Sequence, residues 1–363
     1  PVPQEVIDAG GEPNPIRNTA NTNVIYHGGK LLAMWEGGFP HLLNADLSTV
    51  GLYDYEGALR PGDALTAHPK VCPTTGQLVS CTQRWDSPNY WVQIFDARGK
   101  HLQSIPVEFA RKGIIHDLQI TDNYVVIFYA PAFHSVEKAM KGENPFLWEP
   151  ELGTKIIAIP RSGKGQNMVF ETGAFFSWHY CNGFERDGKL VIDYVRIKSI
   201  PFAQDQGTGA EKQPRRMHRM TLDPATRRVT DEEFSDVFCE FSRVDERRMG
   251  KPYRYGFAAS SNREWGDAHG YNCTGRFDFE TGETSLWEYG PEANAGEPVY
   301  VPNPDSDREE DGWLMCFVHN PGEGAFLSVL SAADFSRGPV CKVHIPGRVP
   351  NGFHANWMQH LSL

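Results

Sequence analysis

The chain has 363 residues, 40% apolar and 12% aromatic, a size and composition that bury a large core and exclude a disordered or fibrous protein. Its 35 basic and 46 acidic residues leave a formal charge of −11, so the mean field works against a phosphate backbone and no nucleic-acid partner is expected. No apolar run approaches the roughly 18 residues of a spanning helix, and the PVPQEVIDAGG start lacks leader character, so a cytoplasmic protein is expected.

In chain order, short β-rich runs alternate with turn residues. NVIYHGGKLLAMWEGG (23–38) reads as two strands around HGGK, and TGQLVSCTQRW (75–85) as a third. YWVQIFDARGKHLQSIPV (90–107) is a hairpin turning at DARGK. GIIHDLQITDNYVVIF (113–128) reads as a buried strand and hairpin that turns at Thr121, Asp122 and Asn123, with His116 interrupting the apolar run. FHSVEKAMKG (133–142) is the best short helical stretch, in an excursion that ends NPFLWEPELG. TKIIAIPRSGKG, GKLVIDYVRI, TGRFDFETGETSLWEY, DGWLMCFVHN and AFLSVLSA then continue the β pattern to residue 332. No Pro- or Ser-rich linker divides the chain, so one all-β domain over 1–363 is expected, and strands spread this evenly suit a β-propeller.

The seven cysteines are scattered without a CxxC pair and read as small core residues in a reducing compartment. Among the 13 histidines most sit in turns or polar stretches. His68 in LTAHPKVCPTTGQL, His116 in GIIHDLQIT, His179 in AFFSWHYCNGFERDGKLVID and His354 in VPNGFHANW share a different context, the last three directly preceded by apolar or aromatic residues. His269 in the polar GDAHGYN is set aside. Singly, each of the four reads as a buried core histidine or as a ligand, and their spacings match no local finger motif, so only the fold could gather them.

TAHPK with PTTGQL, IHDLQIT, WHYCNGFERDGKLVID and VPNGFHANW, in that order, resemble the four histidine motifs of the carotenoid cleavage oxygenase family, which includes stilbene- and isoeugenol-cleaving dioxygenases and the retinoid isomerohydrolase. NTANTNVIYHGGKLLAMWEGGFPHLLNADL, NPFLWEPELGTKIIAIPR, GEPVYVPNP and EEDGWLMCFV resemble family segments between them. The resemblance implies a seven-bladed β-propeller with an axial Fe(II) held by His68, His116, His179 and His354, and a loop or helix cap over the entrance. It also implies roughly 100 residues ahead of the NTANTN segment, so a first blade missing or truncated here.

The same resemblance assigns Glu36, Glu240 and Glu297 as carboxylates that orient the ligand rings, and Thr22 as a threonine beside the open iron position. It implies O2 as cosubstrate, no organic cofactor, and cleavage of a C=C bond in a small hydrophobic conjugated alkene to give two carbonyl products. Phe39, Phe133, Trp148, Phe176, Trp178, Phe257 and Phe353 read either as tunnel lining or as plain core. Phenol-selective members of the family commonly carry a lysine just before the first glutamate; Trp35 stands there, which tilts the expectation to apocarotenoid-like substrates over stilbenoid or isoeugenol-like ones. Segment 131–150 is expected as an apolar entrance touching a membrane surface, or as an ordinary covering loop. The competing classes are a noncatalytic binding propeller and an enzyme using the same iron as a Lewis acid.

Overall fold

The computed structural model describes residues 17–84, 86–135, 137–138, 141–201, 214–263 and 270–359. Their regular structure is almost entirely antiparallel β, and they fall into two compact units, one running to Leu118 and resuming at Phe353, the other spanning Gln119–Gly352.

In the first unit β1 (Asn23–His27), β2 (Lys30–Met34), β3 (His41–Leu43) and β4 (Thr49–Leu52) form a four-stranded sheet in sequence order. The β1–β2 turn needs positive φ at both central positions, and Gly28 (φ 58) and Gly29 (φ 74) supply it; a Cβ on Gly28 would meet the Arg98 backbone at 2.6 Å. The second sheet holds β5 (Asp63–Leu65), β6 (Lys70–Val71), β7 (Leu78–Arg84), β8 (Tyr90–Phe95) and β9 (His101–Val107). Both β5 and β6 pair with β7, and the irregular stretch between them carries His68. Leu32, Met34, Leu65, Leu78 and Phe95 make the core of this unit, with Tyr55 stacked on Phe95 at 4.1 Å.

In the second unit β10 (Gln119–Ile120) and β11 (Tyr124–Tyr129) form the hairpin expected from the sequence. The strand begins only at Gln119, however, so Gly113–Leu118 is ladder-free apart from a single bridge residue, and His116 lies just outside the sheet rather than within a strand. A hairpin of β12 (Ala132–His134) and β13 (Phe146–Trp148) follows, then β14 (Thr154–Pro160) and β15 (Met168–Thr172) complete a four-stranded sheet with β10 and β11. Of the expected helix at 133–142, Phe133 and His134 are strand, Glu137 and Lys138 are helical, and Val136, Ala139 and Met140 lie outside the described residues. The β-branched and aromatic character of the flanks favours the hairpin.

A seven-stranded sheet comes next: β16 (Tyr180–Arg186), β17 (Lys189–Arg196), β18 (Arg216–Leu222), β19 (Val229–Val244), β20 (Tyr255–Ser261), β21 (Cys273–Asp278) and β22 (Thr284–Glu288). The 16-residue β19 pairs mainly through its first half with β18 and through its second half with β20, so one long strand serves two blade-like groups. The last sheet contains β23 (Asn294–Ala295), β24 (Val299–Pro302), β25 (Gly312–Asn320), β26 (Gly324–Ser331) and β27 (Pro339–Ile345). Six of the seven cysteines are buried and Cys341 is exposed, all as free thiols. Among the described residues no helix is long and apolar enough to cross a membrane.

β17 is buried along nearly its whole length, yet it carries Asp193 at 0% exposure. That carboxylate is matched by Arg219 through two 2.8 Å bonds, Nε to Oδ1 and Nη2 to Oδ2, and by Tyr253 Oη at 2.7 Å. Burial pushes the Tyr253 phenol up, and the adjacent carboxylate adds to this. Removing one partner of such a pair leaves the other desolvated without compensation, at a cost of about 3 kcal/mol or more. Asp193→Ala is therefore expected to lower the urea midpoint by an amount corresponding to about 3 kcal/mol, with an unchanged denaturant slope, in an equilibrium unfolding titration.

Candidate metal centre

Four imidazoles come from four irregular segments, each lying just off the strand ladders. His68 lies between β5 and β6, His116 precedes β10, His179 precedes β16, and His354 follows β27 on a stretch without regular structure. Each offers one ligand nitrogen, and these four atoms lie within 4.8 Å of one another. Two ligands on opposite sides of an ion at about 2.1 Å would be about 4.2 Å apart, so the set has the dimensions of a single-ion site.

The ring orientations follow from what holds the outer nitrogens. His116 Nδ1 meets Glu36 Oε2 at 2.5 Å, and His179 Nδ1 meets Glu240 Oε2 at 2.5 Å. With Nδ1–H given to a carboxylate, Nε2 is left with its lone pair. Nε2 of His116 faces Nε2 of His68 at 2.9 Å, a separation that suits a shared cation, and the His354 ring sets its edge on His68 with centroids 4.4 Å apart. Four nitrogen donors, two of them with a carboxylate behind the ring, are a donor set that fits a divalent first-row metal such as Fe(II).

Glu36 stands in the turn after β2, and Glu240 is in β19 at 1% exposure. Burial would raise the Glu240 carboxyl, but the His179 ring and its hydrogen bond, the charge of Arg215 and the Phe241 N–H together prevail and hold it at about 2. The third family-type carboxylate, Glu297, is also buried, and its Oε2 accepts from Arg243 Nη1 at 3.4 Å.

Several supporting residues lay outside the sequence reading. Thr66 Oγ1 donates to the His116 carbonyl at 2.7 Å and accepts the His68 N–H at 3.3 Å, coupling two ligand segments. Lys70 and Asp117 close the same junction with a 2.7 Å ion pair, exposed only 12% and 2%. Their positions, within two residues of a candidate ligand, were the available signal. Phe241 had none: its φ of 56 lies in the left-handed region at a register shift in β19, which a β-favouring aromatic does not announce. There its N–H donates to Glu240 Oε2 at 2.6 Å while its ring stacks on His179 with centroids 5.4 Å apart.

The other sequence candidates are dispersed. The Thr22 carbonyl accepts the His354 N–H at 3.3 Å, which puts this threonine beside a ligand segment. Trp35 is half-buried, its indole so close over Gly37 that an added Cβ would lie 2.3 Å from the ring. Phe176 and Trp178 stack edge to face at 4.6 Å on the approach to His179. Phe133 is buried in β12 and Trp148 half-buried opposite Ala132 in β13, while Phe39 packs against the core of the first unit. Phe257 is fully buried, stacked on Tyr300 at 5.6 Å in a core cluster, and Phe353 is 55% exposed. His269 lies outside the described residues.

The family model for the retinal pigment epithelial membrane protein, RPE65, matches residues 7–359. The chain belongs to the carotenoid cleavage oxygenase family. It is 31% identical over 365 residues to the apocarotenoid-15,15'-oxygenase of Synechocystis, covering 95% of this chain and 74% of that one. The isoeugenol monooxygenase of Pseudomonas nitroreducens is 31% identical over 361 residues, 94% of this chain and 75% of the relative, and the resveratrol cleavage oxygenase 1 of Aspergillus fumigatus 31% over 371 residues, 94% and 74%. Among solved structures, the cobalt-substituted Synechocystis protein superposes with a TM-score of 0.87 at 30% identity, covering 94% of this chain and 75% of that chain. The fold is thus an all-β propeller, and the chain is an oxidoreductase of the carotenoid cleavage oxygenase family.

Two outcomes follow for Glu240. Glu240→Gln is expected to weaken metal retention by roughly 10- to 100-fold in a chelator competition, the range for a lost carboxylate behind a histidine ligand. Because the folded carboxyl sits near 2, below its ordinary 4.5, its stabilising contribution is complete above 4.5 and drains away as the pH falls toward 2. Urea midpoints of the metal-free proteins should therefore fall less steeply with acid in Glu240→Gln than in the parent over that window.

Proposed function

We propose that this oxygenase uses Fe(II) held by His68, His116, His179 and His354 to cleave one C=C bond of an apocarotenoid-like conjugated alkene. The reaction balances without a further reductant: the alkene and one O2 become two carbonyl fragments. Four convergent imidazoles, two of them gripped at Nδ1 by carboxylates, are the observation that carries the reading. When bound, Fe(II) supplies the redox-active centre that makes dioxygen reactive toward the alkene.

The protein's part is positional. Glu36 and Glu240 keep His116 and His179 in one tautomer, so Nε2 stays available as a donor through the reaction. Neutral imidazoles leave the positive charge of the ion undiminished, whereas a carboxylate ligand would offset part of it. Thr22 is the proposed restriction beside the open position, and Phe176 and Trp178 the proposed apolar wall nearest His179.

Trp35 supports the apocarotenoid assignment. Its indole offers no ammonium to polarise a substrate phenol, and its packing over Gly37 sets its orientation. Variants of the Synechocystis protein have been solved at a threonine, a tryptophan and a glutamate, with the tryptophan directly before the glutamate, and the threonine preceding it by the same interval that separates Thr22 from Glu36. A stilbenoid or isoeugenol-like substrate is the second reading, favoured by equal identity to relatives named for those substrates.

Oxygen uptake with apocarotenals, hydroxystilbenes and isoeugenol distinguishes the two. The iron-loaded parent is expected to consume O2 fastest with an apocarotenal and to yield two carbonyl products by mass spectrometry, while His179→Ala loses both iron and uptake. Trp35→Lys is expected to shift relative kcat/KM about 10-fold toward the phenolic alkenes. Faster turnover of a hydroxystilbene by the parent would overturn the apocarotenoid assignment, and turnover under strict anaerobiosis would overturn the dioxygenase reading.

A further inference from the structure

His354 reaches the metal centre on a segment that no strand ladder holds. The last strand ends at Ile345, and the described chain from there to 359 has no regular structure. A ligand on such a stretch must be located by discrete side-chain bonds, because any slack in its backbone is lost precision at the ring nitrogen.

Two asparagines supply those bonds. Asn356 Nδ2 donates to Asn23 Oδ1 at 2.7 Å and to the Val24 carbonyl at 2.8 Å. Asn23 Nδ2 in turn donates to the Ala67 carbonyl at 2.8 Å, the residue directly before His68. Beside them the His354 N–H donates to the Thr22 carbonyl at 3.3 Å. The amide orientations are dictated by the partners: Val24 and Ala67 present carbonyls, which only accept, so each asparagine must turn its NH2 toward them. Asn23 Oδ1 is then left to face Asn356, and the relay has a single consistent sense.

We propose that Asn356 and Asn23 form a positioning clamp that sets His354 against His68, and that Asn356 is thereby a determinant of iron retention although it donates no ligand. The proposal rests on the four-histidine metal reading. Its chemistry is strict at both positions. An aspartate at 356 would turn acceptor oxygens toward Asn23 Oδ1 and the Val24 carbonyl, and Asn23 could turn its NH2 to meet it only by abandoning Ala67. Asn356→Asp is thus a near-isosteric change that reverses the hydrogen bonds and leaves the volume alone.

The experiment compares the parent, Asn356→Asp, Asn356→Ala and the exposed-surface control Trp357→Ala. Hydrogen exchange of the 352–359 peptide is read on metal-free protein, and Fe(II) loss to a chelator together with the iron X-ray absorption spectrum on loaded protein. Both Asn356 variants are expected to exchange that peptide faster, to release iron at least about 10-fold faster, and to show fewer nitrogen neighbours around iron, while Trp357→Ala matches the parent. Parent-like exchange in Asn356→Asp overturns the clamp whether or not iron binds. Faster exchange with a parent-like iron off-rate and spectrum overturns its role in iron retention. A parent that takes up no iron would sink the metal reading, and the retention role with it, while the exchange data still judge the clamp.

Discussion

An imidazole has two nitrogens, and whatever holds one decides what the other does. In this protein a carboxylate takes the Nδ1–H of His116 and another takes that of His179, each at 2.5 Å. Much of the local architecture serves those two bonds. The turn after β2 places Glu36, and the irregularity in β19 places Glu240 with Phe241 forced into a left-handed backbone so that its N–H reaches the same oxygen as His179. Strain of about 1–3 kcal/mol at such a residue persists only where the surroundings over-determine it, and here they do so at a ligand's orienting group.

The same logic governs charge in the interior. The chain carries an excess of acid, yet its buried carboxylates are matched: Asp117 by Lys70, Asp193 by Arg219, Glu297 by Arg243. Glu240 differs, since its hydrogen-bond partner is an imidazole and its carboxyl is held at about 2, so a full negative charge stands behind His179 at any ordinary pH. A negative charge there raises the basicity of the ring and its strength as a donor, which a metal ion repays.

The β-character and most of the hairpins were legible in the amino-acid order, because apolar alternation and Gly, Asp and Asn turn signals are local properties, whereas the four histidines shared a sequence context and became one ligand set only through resemblance to known motifs. His116 illustrates where locality ends. Its apolar neighbours read as strand, but Gly113–Leu118 forms no ladder, since its polar backbone and side chains are spent on tying ligand segments together. The stretch around Glu137 read as helix, and Phe133 and His134 within it pair instead with Leu147 and Phe146. Glu36 and Glu240 emerged only through resemblance to known motifs, for a glutamate in a turn or strand carries no local mark of its partner. Phe241, Asn23 and Asn356 were illegible for a stronger reason: a positive φ and a relay linking residues 23, 67 and 356 exist only once the chain is folded.

The four ligands all sit on irregular backbone beside the ladders, while the large apolar clusters draw mostly on strand residues and come next to a ligand at Ala67 and Tyr180. Most of the apolar burial therefore lies outside the ligand segments themselves. A zinc finger, which spends its metal to fold, is at the other extreme. Here the core clusters pack without an ion among them, so a substitution in a ligand segment is expected to weaken metal binding more than folding.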